Sequence, residues 1–404
     1  MPTAAIIGVT GYGNVQLNVL HELHHTGALS LKAAVVVNPD QATEQLALLQ
    51  SIGARVYPSD RAMWAEEGGQ IDLCVIPAPI ALHAPMSIAA MEAGAHVFVE
   101  KPLAGVIQDA RRIIEASERT GKFVAVGFQD LHAPEIHSAK ERILAGEIGE
   151  VHSVRGYGLW PRPPAYYSRN GWAGRLKDRH GWVLDCPFSN AMAHFLNLSL
   201  YLGGPELHRM AEVTAVEGDL YRVKDIETFD VGAVRCHTAD GPIIHFTGAH
   251  ACAECVHPVV RVEGTEGFME WSHCRDMFIS RHDEDQRKNI PLTPFNTTRF
   301  NTLADCVRRL NDPAAFICTA EMALTHVAVF NAMFASTTCT PVDPKWIVQE
   351  EVSGEISPSL RGVTEAVLEA HHQCVLFREM KNLPWATATG TPFPLSSLTE
   401  YALA

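Results

Sequence analysis

Glycines near the N-terminus have the spacing of a turn that can hold phosphate groups. They lie in the segment IIGVTGYG, which follows a short apolar run and precedes a stretch with apolar residues at helical intervals. In the pattern G-x-G-x-x-G, the glycine positions are occupied by Gly8, Thr10 and Gly13. An additional glycine, Gly11, precedes Tyr12. Because the free N–H groups and the dipole at the start of a helix attract a pyrophosphate, this turn predicts a dinucleotide-binding site.

Two side chains elsewhere could exchange a proton with a bound molecule. Lys101 directly follows an apolar strand, at the edge where a parallel sheet delivers side chains to a ligand. An ammonium group there can hydrogen-bond a reacting oxygen and stabilise the negative charge that develops on it. The imidazole of His194 has an ordinary pKa that suits proton transfer near neutral pH. The residues alone nevertheless favour a core histidine, since Phe195 and Leu196 follow it.

The first third of the chain alternates between short apolar runs and helical patterns. This alternation predicts an α/β fold with a doubly wound parallel sheet, which we place at residues 1–130. The predicted strands and intervening helices are, in chain order, 4–8, 14–26, 31–37, 41–52, 72–77, 82–93, 96–100, 106–120 and 122–127.

The remaining residues, 131–404, have a different pattern and predict a second domain of the α+β class. Strand-like runs with turn signals between them favour a mainly antiparallel open sheet, with a strand at 151–158 and several more over 210–272. Helices are expected at 135–144, 300–309, 319–337 and, in a C-terminal tail, 361–380.

Composition and charge exclude several classes of protein. Only 19% of the 404 residues are charged and the net charge is −14, which argues against long disorder and against a nucleic-acid binder. No run approaches the ~20 apolar residues of a membrane span, and the N-terminus lacks the basic and apolar regions of a secretory signal. Ten scattered cysteines are typical of a cytoplasmic protein with reduced thiols.

Three further segments, taken with the glycine turn, make a family resemblance visible. They are IPAPIALH at residues 76–83, AMEAGAHVFVEKPLA at 90–104 and RVEGTEG at 261–267. Together they resemble the Gfo/Idh/MocA oxidoreductases, the family of glucose–fructose oxidoreductase and inositol dehydrogenase. The resemblance is close over the N-terminal domain and looser beyond it. It implies a Rossmann domain and hydride transfer between NAD(P) and a secondary alcohol of a sugar or cyclitol.

The choice between NAD and NADP depends on the end of the second strand. An acidic residue there would bind the ribose 2′-hydroxyl of NAD. Asn38 can still hydrogen-bond that hydroxyl, and no nearby arginine is available for the 2′-phosphate of NADP, so both remain open with a preference for NAD. Besides the turn itself, the resemblance implies cofactor contacts from Pro77, Pro79, His83, Glu100 and Lys101.

The family's Asp-x-x-x-His motif falls on Asn190 and His194 when the segments are aligned, so asparagine replaces the aspartate. Four residues apart on a predicted helix, these two would share a face. Asn190 can orient an imidazole but cannot stabilise its positive charge, whereas Asp185, just upstream, could. The resemblance thus implies that Lys101 and His194 move the hydroxyl proton. The Lys101–Pro102 bond is a candidate for the cis form.

Aromatic and cationic residues are concentrated before this motif and suit a sugar ring or an acidic group on it. We expect Trp160, Trp172 and His180, with Asn190 and His194, to line the substrate. The other members of the set are Arg155, Tyr157, Arg162, Tyr166, Tyr167 and Arg175.

Several functions remain open at this point. The chain could be a dehydrogenase, a glycoside-cleaving enzyme that oxidises a ring carbon transiently, or a non-catalytic NAD(P)-binding protein. The partners expected are a small carbohydrate or cyclitol and, because an antiparallel sheet face would be exposed, further copies of the chain in a homodimer or homotetramer. The C-x-x-C pair of Cys252 and Cys255 is expected to bind no metal, because in a strand the two would point to opposite faces.

Overall fold

The computed structural model describes residues 1–239 and 241–402, and it divides the chain into two compact units. The first unit contains residues 1–104, 108–133 and 294–324; the second contains residues 105–107, 134–293 and the chain from Thr325 onward. This differs from the predicted division at residue 130 in three places. Residues 131–133 and 294–324, expected in the second domain, belong to the first unit, and residues 105–107, expected in the first domain, belong to the second.

The first unit opens with alternating strands and helices. All strand pairs of its sheet are parallel, and the order in the described residues is β3-β2-β1-β4-β5-β6. The predicted doubly wound sheet is thereby confirmed. The elements are β1 (Thr3–Ile7), α1 (Tyr12–His25), β2 (Ser30–Val35), α2 (Thr43–Ser51), β3 (Arg55–Tyr57), α3 (Asp60–Glu67), β4 (Leu73–Ile76), α4 (His83–Glu92), β5 (His96–Val99), α5 (Ile107–Thr120) and β6 (Val124–Val126).

The later elements are mainly strands, with helices before, between and after them. They are α6 (Pro134–Leu144), β7 (Val151–Leu159), α7 (Pro164–Ser168), β8 (Lys177–Asp178), β9 (Gly181–Trp182), α8 (Ala193–Leu202), β10 (Val213–Arg222), β11 (Val231–Thr238), β12 (Ile243–Ala249), β13 (Val256–Gly264), β14 (Gly267–Ser272), β15 (Asp276–Arg281), β16 (Lys288–Asn289), α9 (Phe295–Arg309), α10 (Ala320–Ser336), β17 (Thr340–Pro341), β18 (Ile347–Val352), β19 (Glu355–Leu360), α11 (Val363–Gln373) and β20 (Phe393–Pro394).

Helix α9 belongs to the first unit because its apolar face completes the core beside the parallel sheet. Leu303 and Cys306 are fully buried in one cluster with Leu17 and Leu20 of α1. The chain after α9 also reaches β6, where the Val126 N–H donates to the Cys318 carbonyl at 2.8 Å. Burial of such side chains stabilises the fold by about 1.5–3 kcal/mol each.

The second unit is built on a large sheet that is mainly antiparallel, as predicted. Its order in the described part of the chain is β16-β15-β14-β13-β7-β12-β11-β10-β17, and β20 pairs with β10. The pairs β7–β12 and β10–β17 are parallel, and the others are antiparallel. Helix α8 packs across β7, β12 and β13, which places the start of this helix against the sheet.

The C-terminal segment covers part of the face that the sequence predicts to be open. Along β10, the side chains of Glu217 and Asp219 contact this segment, while the intervening Gly218 lies against α10. Arg378 pairs with Asp219 and, at 2.9 Å, with Glu217. Phe377 is fully buried in the same cluster as residues of β10 and β11. The chain therefore shields β10–β12 itself.

Candidate functional site

The turn between β1 and α1 is held tight by glycines. Gly8 and Gly11 have φ angles of 98° and 58°, a region that favours glycine. A Cβ atom on Gly13 would lie 2.5 Å from the Gly8 carbonyl oxygen and 3.3 Å from Cγ of Pro77. Thr10, by contrast, is exposed. This packing seats the start of α1 beside the carboxyl ends of β1 and β4, where the strand order of the sheet reverses and such folds bind ligands.

The other predicted cofactor residues follow the ends of neighbouring parallel strands. Asn38 follows β2 and is exposed, Pro77 and Pro79 follow β4, and Glu100 and Lys101 follow β5. Because the carboxyl ends of parallel strands share one edge, these residues belong to the same edge as the glycine turn. The Lys101–Pro102 peptide bond is cis, as expected.

His83 lies beneath this edge, with only 1% of its surface exposed. Its Nδ1 is 2.8 Å from the carbonyl oxygen of Pro102 and its Nε2 is 2.9 Å from that of Ala78. Burial lowers the pKa of the imidazole and favours its neutral form. The ring lies between the loop after β4 and the loop after β5 and, when neutral, donates to one of the two carbonyl oxygens, so its contribution to cofactor binding is to position these loops.

Glu100 is buried next to the glycine turn. Its carboxylate accepts hydrogen bonds from Nε2 of Gln16 at 2.5 Å and from the backbone N–H of Lys101 at 3.2 Å. Burial raises the pKa of Glu100 to about 7, against the opposing effects of Lys101 and Gln16. Gly127 lies directly against this carboxylate, since a Cβ there would be 2.9 Å from Oε2.

Arg299 of α9 is a charged residue at this site that the sequence did not indicate. Its Cζ lies 5.9 Å from the ring of Tyr12, and its Nε is buried without a hydrogen-bond partner in the described residues. The Tyr12 hydroxyl donates to Oε1 of Gln129 at 3.1 Å. Burial and the charge of Glu100 raise the pKa of Tyr12, while Arg299 opposes them. The sequence predicts helix α9 itself. Its packing in the first unit is a tertiary contact, which no local sequence pattern indicates.

In the second unit, His194 occupies the first turn of α8. It is the one partly exposed residue of this fully described helix, since Ala193 and every residue from Phe195 to Leu202 are buried. The side chain therefore departs from the pattern of a core histidine. Its Nδ1 atom is buried, so a ligand would reach the ring on its exposed side.

The predicted helical face shared by Asn190 and His194 is wrong. Helix α8 begins at Ala193, and Asn190 lies in the turn before it. Asn190 instead donates from Nδ2 to Oδ1 of Asp185 at 2.7 Å, and the other carboxylate oxygen accepts from the Gly174 N–H at 2.6 Å. Side-chain hydrogen bonds to the backbone compete with helix formation, and in this loop they form in place of a helix that would include Asn190. Asp185 is buried, so its charge is fixed in place beside Asn190.

The predicted substrate residues of this unit fall into two groups. Trp160 packs edge-on against Phe195, the neighbour of His194, with ring centroids 5.3 Å apart. Trp172 lies under the guanidinium of Arg169, 5.2 Å away. His180 is separate: it is exposed in the β8–β9 hairpin, where its Nε2 accepts from Nε of Arg179 at 2.9 Å.

Among the described residues, no group of three or more His, Cys, Asp or Glu side chains is arranged to hold a metal ion. The segment with Cys252 and Cys255 is a loop before β13 rather than the expected strand. None of the described helices combines the length and the apolar character that a bilayer crossing requires.

Comparison with known families accounts for both units. Residues 3–128 match the model of the oxidoreductase family with an NAD-binding Rossmann fold, and residues 136–270 match the Gfo/Idh/MocA C-terminal domain. The chain belongs to the Gfo/Idh/MocA family. The expected resemblance is thereby confirmed for both domains.

Two curated relatives are named for different reactions. The chain is 32% identical over 176 residues to a scyllo-inositol 2-dehydrogenase (NAD(+)) of Bacillus subtilis, which covers 43% of this chain and 45% of the relative. It is 33% identical over 201 residues to an alpha-N-acetylgalactosaminidase of Shewanella oneidensis, covering 43% and 42%. The chain thus aligns with less than half the length of these relatives.

Solved structures share the fold at low identity. A levoglucosan dehydrogenase in complex with NADH has a TM-score of 0.70 at 18% identity, covering 83% of this chain and 96% of the other. The WlbA dehydrogenase from Bordetella pertussis, in complex with NADH and UDP-GlcNAcA, has a TM-score of 0.66 at 21% identity, covering 83% and 95%.

The tight turn gives a direct prediction for Gly13→Ala. The added Cβ would collide with the backbone of Gly8, so the turn must open and the affinity for NAD+ should fall by at least about ten-fold. Fluorescence titration measures this affinity. Gly53→Ala is the matched control: it is also strained, at φ 71°, but it lies after α2 with no atom within 4 Å of the added Cβ. Equal NAD+ affinity in wild type and Gly13→Ala would contradict the assignment.

The raised pKa of Glu100 makes stability depend on pH. Because the folded protein holds this proton up to about pH 7, the stabilisation is complete below the ordinary carboxyl pKa and is lost as the pH rises to about 7. The unfolding free energy of the first unit should thus decline by up to about 3 kcal/mol between pH 5 and 8. Denaturant unfolding at several pH values should show this decline of the unfolding free energy in wild type and in the control Glu92→Gln, but not in Glu100→Gln. A parallel decline in Glu100→Gln refutes the prediction.

Proposed function

We propose that this protein is an NAD-dependent oxidoreductase that transfers a hydride between nicotinamide and a secondary hydroxyl of a sugar, sugar derivative or cyclitol. The observation that carries the proposal is the glycine turn at the switch in strand order, with Glu100 and Lys101 on the same edge of the sheet. When bound, NAD+ supplies the hydride acceptor. The carbinol carbon gives up hydrogen with its electron pair, the hydroxyl gives its proton to the protein, and a ketone results.

We assign the residues of the first unit to cofactor binding and to the reacting oxygen. The turn residues Gly8–Gly13 would hold the pyrophosphate through backbone N–H groups. Arg299 and Tyr12 would add charge and a ring beside that turn. Nζ of Lys101 would hydrogen-bond the substrate oxygen and stabilise alkoxide character on it. NAD is preferred over NADP because Asn38 supplies a hydrogen-bonding amide without a positive charge.

In the second unit we assign the proton transfer to His194, whose side chain is the accessible one on its helix. Asp185 would take the place of the family aspartate through Asn190, because these two side chains are hydrogen-bonded at 2.7 Å. Trp160 would bring an apolar ring to the substrate next to the start of α8.

A second function has one specific observation in its favour, the similarity to an alpha-N-acetylgalactosaminidase. A glycoside-cleaving enzyme of this fold would oxidise a ring carbon transiently and restore the cofactor. Such an enzyme releases the aglycone of a nitrophenyl glycoside without a net change in absorbance at 340 nm, whereas a dehydrogenase produces NADH.

The proposed roles of Lys101 and His194 predict a selective loss of turnover. Lys101→Met and His194→Ala should each lower kcat/KM by at least about 100-fold, because each removes a group that acts on the hydroxyl proton. NADH formation with a panel of inositols and hexoses measures this. The control His152→Ala alters an exposed histidine on β7 and should leave the rate unchanged. Full turnover in either test variant would remove that residue from the mechanism. If neither the wild type nor any variant turns over any of the sugars, a non-catalytic NAD-binding role is favoured.

We also propose that the chain acts in the cytoplasm as a homodimer or homotetramer. All ten cysteines are free, as in a reducing compartment. On β13 and β14, Arg261 pairs with Glu263 at 2.5 Å and Glu270 at 3.1 Å and lies over Phe268. A surface with both charges and an apolar ring can pair with its own copy.

Sedimentation equilibrium tests the proposed assembly. It should give two or four times the mass of one chain, and Glu270→Arg should lower that mass, because it places like charges against Arg261 at the contact. A single-chain mass for wild type at micromolar concentration contradicts the proposal.

A further inference from the structure

Two arginines of the second unit flank the same aromatic ring. The Cζ atoms of Arg162 and Arg169 lie 4.9 Å and 3.5 Å from the ring centroid of Tyr166. Arg162 is also 5.6 Å from the ring of Trp160, and Arg169 is 5.2 Å from that of Trp172. Cation–π contacts favour these positions of the two guanidinium groups. Trp160 and Trp172, which are predicted to line the substrate, therefore each lie next to a positively charged guanidinium group.

Among the described residues, neither arginine forms an ion pair with an acidic side chain, although other arginines of this unit do. Arg175, a few residues along the chain, pairs with Glu227 at 3.1 Å, and Arg235 pairs with Glu217 at 2.9 Å. Arg162 donates to the backbone carbonyl of Pro161 and hydrogen-bonds the Tyr166 side chain, and Arg169 donates to the backbone carbonyl of Tyr166. Two positive charges without an ion pair among the described residues thus flank one ring in a chain whose net charge is −14.

Two polar atoms of this group are buried and lack an acceptor. They are Nε of Arg162 and the hydroxyl of Tyr167, which have no hydrogen-bond partner among the described residues. Burial raises the pKa of Tyr167 well above its ordinary value, so the hydroxyl keeps its proton and can donate. Native proteins rarely leave buried donors unsatisfied, and a missing ligand is one regular reason. An acceptor oxygen of a ligand would satisfy both donors.

No neighbouring side chain of the described residues accepts a hydrogen bond from either donor. The ring of His250 lies 6.1 Å from that of Tyr166, but its Nδ1 is 2.8 Å from the Trp160 carbonyl, and burial and Arg162 lower its pKa, so it is neutral. Burial and the charge of Asp185 raise the pKa of Tyr166. The carboxylate oxygens of Asp185 accept from Asn190 and Gly174.

The backbone that carries these residues is fixed by the β18–β19 hairpin. The Ala165 N–H donates to Oε2 of Glu355 at 3.1 Å, and Oγ of Ser357 donates to the Arg162 carbonyl at 3.4 Å. Lys224 in turn donates to Oγ of Ser357 at 2.5 Å. The arginines are therefore presented by a supported loop. Trp160 also places this loop beside Phe195 at the start of α8.

We propose that Arg162, Arg169 and Tyr167 form an oxyanion subsite and that the substrate is an acidic sugar, carrying a carboxylate or a phosphate group. Planar guanidinium groups bind both oxyanions through paired hydrogen bonds. This inference rests on the proposed function, because it names the charge of the sugar which that function oxidises. Arg162 and Tyr167 contact the anion, and Arg169 adds the second charge.

Binding of matched sugars tests the subsite without turnover. The probes are D-glucuronate, D-glucose 6-phosphate and D-glucose, each titrated into the NAD+-saturated protein while the thermal midpoint is followed. At least one acidic sugar should raise the thermal midpoint at concentrations about 10–100-fold lower than D-glucose does. A charge-assisted hydrogen-bond pair contributes a difference in affinity of this size. A response to glucuronate alone identifies a carboxylate, and a response to the phosphate alone identifies a phosphoryl group.

Variants locate the effect. Arg162→Gln and Arg169→Gln should remove the preference for the acidic sugar, and Tyr167→Phe should reduce it, while D-glucose is unaffected. Arg175→Gln is the control, since that arginine is exposed and already paired. Equal midpoints with acidic and neutral sugars in wild type, or equal losses in Arg175→Gln and Arg162→Gln, overturn the subsite. Oxidation of a neutral sugar with no effect of Arg162→Gln also overturns it but leaves the proposed function intact. Arginine-dependent binding of an acidic sugar without any NADH formation keeps the subsite and refutes the function.

Discussion

The close approach of Gly13 to the Gly8 carbonyl and to Pro77 is the constraint on which the rest depends. Only a residue without a Cβ lets α1 begin this near to the ends of β1 and β4. The same contact leaves the first N–H groups of α1 at the carboxyl edge of the sheet. Glu100, Lys101 and Asn38 belong to that edge because parallel strands all end on one side. Moving α1 outward would separate the turn from the residues that follow β5.

Burial then gives these residues their chemical character. Glu100 and His83 are enclosed, so the carboxyl favours its protonated form and the imidazole its neutral form. In the second unit, Asp185 stays fixed by two donors, while Arg162 and Arg169 lie against aromatic rings and form no ion pair among the described residues. The polar groups left without protein partners therefore mark the places where a ligand would complete the structure.

Local patterns were sufficient for the parallel sheet, the glycine turn, the cis bond at Lys101 and most later helices. They missed β3 and α3, because β3 has only three residues and two of them are exposed. They extended the tail helix to residue 380, whereas α11 ends at Gln373, before Cys374 with φ 58°. The Asn190 turn, the return of α9 and Arg299 depend on contacts distant in sequence, which no local period encodes. For the same reason the cover over β10–β12 could not be foreseen from the tail alone.

The most direct test of the account asks where the dinucleotide protects the backbone. Hydrogen–deuterium exchange of the full chain, with and without saturating NAD+, resolves this by peptide. The account predicts slower exchange in peptides that contain the turn at residues 8–13 and the segment around Lys101. Unchanged exchange there, or protection confined to other peptides, would contradict it.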